Sequence, residues 1–338
     1  MQRTLLERLL EYYGITESEY QELICPVSEM NFAKGHSFEH ISEASNMVKD
    51  VIKNNGRIFI YGDYDADGIM GASILVKMFM YKNYEADYYI PNRYQDGYGI
   101  TLAKAQEIVE GGYSLVITVD NGISAFEPIK YLSDHHIKVL VLDHHTPQEE
   151  LPQADYIIHP EASHFGEISS SGAFVAFMFS LEYLGYFDKY LSTLAAISVV
   201  SDMMPLKEYN RRFLRLVFKN FQEKEFPSID YLKENEPFDE TTIGLKISPK
   251  INAIGRMIDT NEINNLVEYF TTDDEDIILN YISWINETNE NRKVISRDAS
   301  NSVSNISLDS KCLVLLLDVK EGLLGLVANQ LCSEHHVP

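Results

Sequence analysis

The sequence is poor in cysteine, poor in basic residues and free of long apolar runs. Only Cys25, Cys312 and Cys332 occur in 338 residues. Being odd in number and far apart, they argue against a disulfide framework or a zinc site and point to a reducing cytoplasm. No apolar stretch approaches the roughly 18 residues needed to span a bilayer, so no membrane partner is expected. The amino-terminal "MQRTLLERLLEYYGIT" is amphipathic and charged and lacks a signal-peptide pattern. Lys and Arg number 28 against 51 Asp and Glu, a formal net charge of −23. Taken alone, this balance argues against a nucleic-acid partner, because phosphate contacts need cations. A local basic surface escapes the argument, since distant charges are screened. Acids that hold divalent cations also present a less negative site than the formula counts. No internal repeat and no low-complexity tract is found.

What is present is a chain of about two domains' length, 45 per cent hydrophobic, with a core to bury. Residues 1–50 read as helices with polar loops. From Arg57, strands alternate with helices: "RIFIY", "ADYYIP", "SLVITV", "KVLVL" and "DYIIHP" as strands, with "GIMGASILVKMFMYKN", "TLAKAQEIVEGG" and "AFEPIKYLSDHH" as helices between them. Near-continuous apolar strands alternating with helices predict an α/β fold, a parallel sheet with helices on both faces. "SSGAFVAFMFSLEYLG" and "KYLSTLAAISVV" are apolar helices to pack beside it, and "NRRFLRLVFKNF" is amphipathic. A long, partly exposed connecting helix is expected in "TTDDEDIILNYISWINETNENRKVISRDASNSV", residues 271–303. "KCLVLLLDV" reads as a new strand and "GLLGLVANQLCSEHH" as a new helix.

The stretch "IYGDYDADGIMGAS" places Asp63, Asp65 and Asp67 at alternate positions and closes them with a glycine. Three carboxylates this close repel unless a cation holds them. D-x-D-x-D-G opens a calcium-binding EF-hand loop, but that loop needs a glutamate at its twelfth position. Here that position is Ile74, and a strand rather than a helix precedes the motif. Further acids follow later strands: Asp120 in "VITVDNGIS", and Asp143, His144 and His145 in "VLVLDHHTP". Asp202, in "ISVVSDMMPL", ends an apolar helix. In open parallel sheets, ligands bind outside the carboxyl ends of the strands, so three strand ends deliver these groups to one edge. Each piece also has a structural reading. "DNG" is a turn signal, a post-strand aspartate can cap the next helix, and Asp202 can be a helix-end residue. Adjacent histidines such as His135–His136 and His335–His336 are incidental. The joint occurrence of four clusters argues for a site.

Carboxylates with one or two imidazoles and no thiolate suit Mn²⁺ or Mg²⁺. Five or six ligand groups exceed what one such ion needs and fit a pair of ions sharing an aspartate, the arrangement used for phosphoester hydrolysis.

"YGDYDADG", "TVDNGIS", "VLDHHTP" and "SDMMPL" resemble, in order, the four motifs of the DHH phosphoesterase superfamily. "YIPNRYQDGYGIT", "SSGAFVAFMF", "PKINAIGRM" and "INETNENRK" resemble segments of its RecJ-like exonucleases, and "EGLLGLVANQL" resembles the start of their second domain, DHHA1. The resemblance implies that Asp63, Asp65, Asp67, Asp120, His144 and Asp202 are metal ligands for two ions, with Asp120 bridging. It implies that His145 faces the phosphate, that Asp143 orients a histidine, and that Arg256 holds a nucleic-acid phosphate, with Arg93 as a weaker candidate. Arg211, Arg212, Arg215 and Lys219 form a basic helix face that either supplements them or is simply solvated. The implied activity is 5′-to-3′ degradation of single-stranded DNA in repair and recombination, in the cytoplasm, with a single-strand-binding protein or a helicase as partner. The implied layout is a helical segment at 1–50, a catalytic DHH domain at 51–225, a connecting region at 226–305 and the beginning of a truncated DHHA1 domain at 306–338.

Two departures bear on this. Tyr61 stands where many relatives outside the RecJ-like group have histidine, and Lys320 stands where a histidine is expected before Glu-Gly. The glycine-rich part of DHHA1 and an OB-fold are not found. A phosphodiesterase of short oligonucleotides or cyclic dinucleotides is the alternative enzyme reading, and a non-catalytic scaffold the alternative class. The intact ligand set speaks against the scaffold.

Overall fold

In the computed structural model, the described residues are 4–25, 27–29, 37–165, 169–303, 312 and 314–336. The amino-terminal part carries helices α1 (Leu5–Tyr13), α2 (Glu17–Ile24) and α3 (Ile41–Lys53). The alternating region follows as β1 (Ile58–Tyr61), α4 (Ala66–Met80), β2 (Asp87–Tyr89), α5 (Leu102–Glu110), β3 (Leu115–Val119), α6 (Phe126–Asp134), β4 (Lys138–Leu142) and β5 (Tyr156–Ile158). The five strands pair in the order β2-β1-β3-β4-β5, and every pairing is parallel. Strand order therefore reverses between β1 and β3, which opens a crevice at their carboxyl ends.

Strand alternation separates two apolar layers. Leu115, Ile117 and Val119 of β3 face a large core with α4, while Val116 faces a smaller one with α5 and α6. On the large side, α4 packs against α7 (Gly172–Leu184) and α8 (Lys189–Ser201). Every residue of α4 from Ala66 to Phe79 is buried, which is why its sequence is apolar all round rather than striped.

The chain continues through α9 (Glu208–Asn220), α10 (Pro227–Lys233), α11 (Glu240–Thr242), α12 (Ser248–Met257), α13 (Asn265–Thr271), α14 (Glu275–Ser302) and α15 (Glu321–His335). A π-helical turn, Ile243–Ile247, joins α11 to α12. Pro249 has no N–H to extend an ordinary ladder, and the helix widens just before it, the Ser248 amide reaching Ile243 O. The main core does not end near residue 225. Ile229, Ile254, Leu266 and Ile285 join the same cluster as the sheet. The expected long helix is α14, of 28 residues.

The strand expected at "KCLVLLLDV" is not formed where the structure describes it. Lys311 and Leu313 lie outside the described residues, and residues 314–318 pair with no described strand. The segment still alternates. Leu315, Leu317 and Val319 pack on Ala299, Val327 and Leu331 of α14 and α15, while Val314 and Leu316 face solvent. An extended run has strand periodicity whether or not a neighbour accepts its hydrogen bonds. Among the described residues no helix is long and apolar enough to cross a membrane.

Candidate metal centre

The crevice at the strand ends brings together Asp63, Asp65, Asp67, Asp120, Asp143, His144, His145 and Asp202. Asp63 follows β1, and Asp65 is the N-cap of α4, its Oδ1 accepting from the Asp67 and Gly68 amides at 2.9 and 3.1 Å. Gly68 leaves room for this turn, since a Cβ there would collide with Asp63. Asp67 points across to the N-terminus of α7. It accepts from the Gly172 and Ala173 amides, both at 2.7 Å, and from Ser198 Oγ at 2.5 Å. A helix N-terminus is a favourable place for a buried carboxylate.

Asp120 sits after β3 with φ +61°, in the left-handed region. Its neighbour Asn121 fixes the turn, donating to Val119 O, Gly62 O and Tyr61 O. The "DNG" segment is thus both a turn and the carrier of a site carboxylate. Asp143, after β4, is wholly enclosed. It accepts from the Ile123, His144 and His145 amides and from the His145 ring, Nδ1 to Oδ1 being 2.8 Å. Asp202 is the C-cap of α8 and also turns its carboxylate inward.

His144 joins these pieces. Its Nε2 lies 3.1 Å from Asp120 Oδ1 and 3.5 Å from both Asp67 Oδ2 and Asp202 Oδ2. His145 Nδ1 is 3.8 Å from Asp120 Oδ1. Three donor sets result, each with its atoms within 4.8 Å of one another: Asp63, Asp65 and Asp120; Asp120, His144 and His145; Asp67, His144 and Asp202.

Crowding shifts the carboxyls in one direction. Burial, reinforced by the Asp65 charge, pushes Asp63 up to about 8. Burial and the Asp67 charge push Asp202 up to about 6 and raise Asp65 as well. Asp120 is driven well above the carboxylate range by burial and by the charges of Asp67, Asp65 and Asp63. Asp63 Oδ1, Asp120 Oδ1 and Asp202 Oδ2 are buried and accept no hydrogen bond. Unsatisfied, mutually repelling oxygens facing one space are what a divalent cation relieves, and this donor set fits Mn²⁺ or Mg²⁺. His145 is raised too, but here the shift favours the charged form, its hydrogen bond to Asp143 stabilising the cation.

Several supports carry no local sequence signal. His159, after β5, is kept neutral by burial. Its Nδ1 accepts from the Glu161 and Ala162 amides, so Nε2 donates to His145 O at 2.8 Å. Asn252 of α12 accepts the Ala66 amide at 2.9 Å. Tyr98 places its hydroxyl 3.2 Å from His145 Nε2. A clue existed only for Tyr98, in the glycines on either side of it.

The arginines divide. Arg93 stacks on Tyr64 at 4.1 Å, and Arg256 Nη1 donates to Gly322 O at 2.9 Å, both beside the first acidic loop. Arg211 is exposed on α9, and Arg215 donates to Leu23 O of α2. Neither is joined to the acids, and Arg215 serves to hold the amino-terminal helices.

The DHH family, N-terminal domain, matches residues 57–205. Residues 57–205 thus resemble the DHH family's amino-terminal domain. All six candidate ligands lie within this stretch. Over 347 residues the chain is 29% identical to the single-stranded-DNA-specific exonuclease RecJ of Bacillus subtilis, covering 99% of this chain and 44% of that protein. It is 29% identical to the RecJ of Haemophilus influenzae, over 88% of this chain and 57% of that one. The crystal structure of Thermus thermophilus RecJ with Mn²⁺ superposes with a TM-score of 0.82 at 23% identity, over 97% of this chain and 48% of that one. The chain thus spans about half the length of these relatives, and the α/β architecture expected from the sequence is the one they share. The resemblance noted in its motifs holds across the DHH domain.

Proposed function

We propose that the chain is a metal-dependent phosphodiesterase that degrades single-stranded DNA from the 5′ end. The observation that carries this reading is the membership of Asp120 in two donor sets, one with Asp63 and Asp65 and one with His144 and His145. In this reading Asp63, Asp65 and Asp120 hold one Mn²⁺ or Mg²⁺, and Asp67, Asp120, His144 and Asp202 hold a second. When bound, such a pair lowers the pKa of water and neutralises charge on phosphoryl oxygens.

The chain's own residues do the rest. Asp143 fixes the His145 ring and favours its protonated form, so that the ring can donate to a phosphoryl oxygen as charge accumulates there. Arg256 and Arg93 orient the strand by its phosphates. The polarity and the preference for single strands rest on the likeness to the RecJ proteins, as do a single-strand-binding protein or a helicase as partner.

The test is a long single strand labelled at its 5′ end, incubated with Mn²⁺ and with EDTA, beside Asp120→Ala. Early release of labelled mononucleotide, lost with EDTA and in the variant, is expected. Equal rates on a blunt duplex would overturn the single-strand preference, and label retained until late would overturn the polarity.

A further inference from the structure

A cavity of about 570 Å³ adjoins the acidic centre, a size in the range of small-ligand sites. Ser201 and Met203, on either side of Asp202, line its near end, together with Asn252, which holds the Ala66 amide. Beyond them lie Ser248, Arg256 and Arg292.

The polar groups here are underused. Ser248 is 5% exposed, and its Oγ has no hydrogen-bond partner. Arg292, on α14, donates Nη2 to Asn289 Oδ1 at 2.9 Å, but its buried Nε has no partner. A buried donor left unmade costs free energy, so such groups ask for an acceptor. The charges agree. Arg93 and Arg292 both act on Arg256, which burial and their like charge lower. None of these three arginines forms an ion pair with a described carboxylate, in a chain with 51 acids. Arg256 and Arg292 line the cavity with Arg93 close by; Asp65, Glu290 and the exposed Glu240 of the lining lie near them but do not pair with them, so their donors remain for an anion. The opposite rim is open and partly apolar: Met203 is 88% and Leu245 74% exposed, beside the exposed Glu240 and Thr241.

We propose that this cavity binds a backbone phosphate of the substrate strand other than the scissile one, with Arg292 Nε and Ser248 Oγ as donors and the Met203–Leu245 rim against a base. The proposal rests on the phosphodiesterase reading above. It makes Arg292 a determinant of strand length rather than of the chemical step.

The experiment compares Arg292→Gln and Ser248→Ala with the unaltered chain on two substrates: a long single strand, and a dinucleoside monophosphate that has only the scissile phosphate. Arg292→Gln is expected to raise KM on the long strand roughly tenfold, the worth of a charge-assisted contact, with kcat little changed. On the dinucleoside its kcat/KM should match the unaltered chain, which also shows that the variant is folded. Ser248→Ala should move in the same direction by less. An unchanged KM on the long strand overturns the proposal, and so does an equal loss on both substrates. If Arg292→Gln only relieves inhibition by free mononucleotide, the cavity is a product site and the proposal fails. If the unaltered chain cleaves neither substrate, the phosphodiesterase reading fails instead. Fluorescence anisotropy of a labelled strand in EDTA then decides the cavity, and equal affinity for the unaltered chain and Arg292→Gln overturns it.

Discussion

Asp120 occupies a left-handed backbone position, which asparagine accepts and most other residues do not. Asp120→Asn therefore removes the ionisable group while keeping the turn. In metal-free protein this should raise the melting temperature, because burial and the neighbouring acids oppose the ionised form of Asp120 that the unfolded chain adopts. The stabilisation added by Mn²⁺ should disappear, and cleavage should fall by more than about a hundredfold, beyond what loss of a supporting contact costs. Thermal unfolding with and without Mn²⁺ checks both. A variant that Mn²⁺ still stabilises as strongly would remove Asp120 from the ligand set. Asp63 gives a pH test of the same cluster. Its folded carboxyl titrates near 8, against about 4 in an unfolded chain. Between those values the folded protein keeps a proton that the unfolded chain has lost. Stability of the metal-free protein should therefore fall as pH rises from about 4 to about 8, with Asp202 adding to the fall up to about 6. Melting curves in EDTA across that range should slope downward, and Asp63→Asn should flatten them; parallel curves for the two proteins would contradict the raised pKa. At this scale the acids and the paired histidines were legible because each follows its strand or ends its helix within a few residues. Ser198 reaches Asp67 across 131 positions and Asn252 reaches Ala66 across 186. Only the folded chain brings such pairs together, and nothing local announces them.

Among the elements, the five strands and their helices were readable, since each is a continuous apolar run with clear stops. Two elements were not. The π-turn at Ile243–Ile247 depends on hydrogen bonding around Pro249 rather than on any apolar period. The run at 314–319 has a strand's period, but no described partner takes up its backbone. That difference can be measured. Leu317→Ala should cost about 1–2 kcal/mol, because Leu317 packs on the cluster between α14 and α15. Leu316→Ala, at a solvent-facing position, should stay within about 0.5 kcal/mol. Equal costs in urea unfolding would mean that the segment is paired as a strand. The junction of α7 with the site is the other telling element. A Cβ at Gly172 would stand 2.7 Å from Asp120 Cβ, and the same residue's amide binds Asp67. Gly172→Ala should force α7 away from both carboxylates, at about 1–3 kcal/mol for overpacking, and weaken Mn²⁺ binding by titration calorimetry. A variant with unaltered Mn²⁺ affinity would show that the α7 N-terminus does not set the ligand geometry.

Over the whole molecule, the balance of −23 conceals opposite local fields. The acids that crowd the strand ends face one space, and Arg93, Arg256 and Arg292 gather beside them with no ion pair to a described carboxylate. A strand approaching this protein meets long-range repulsion and a short-range cationic seat. Such a surface should bind single strands with a shallow dependence on salt. Each phosphate neutralised contributes about −0.7 to the slope of log K against log salt for a single strand. Three arginines thus set a slope of about −2, and Arg292→Gln should make it shallower by about 0.7. Anisotropy titrations of a labelled strand between low and moderate salt, in EDTA to prevent cleavage, give both numbers. A slope steeper than about −4 would require cations outside this cluster, and the exposed face of α9 with Arg211 and Lys219 would be the place to look. A slope unaffected by Arg292→Gln would instead leave the seat to Arg93 and Arg256 alone.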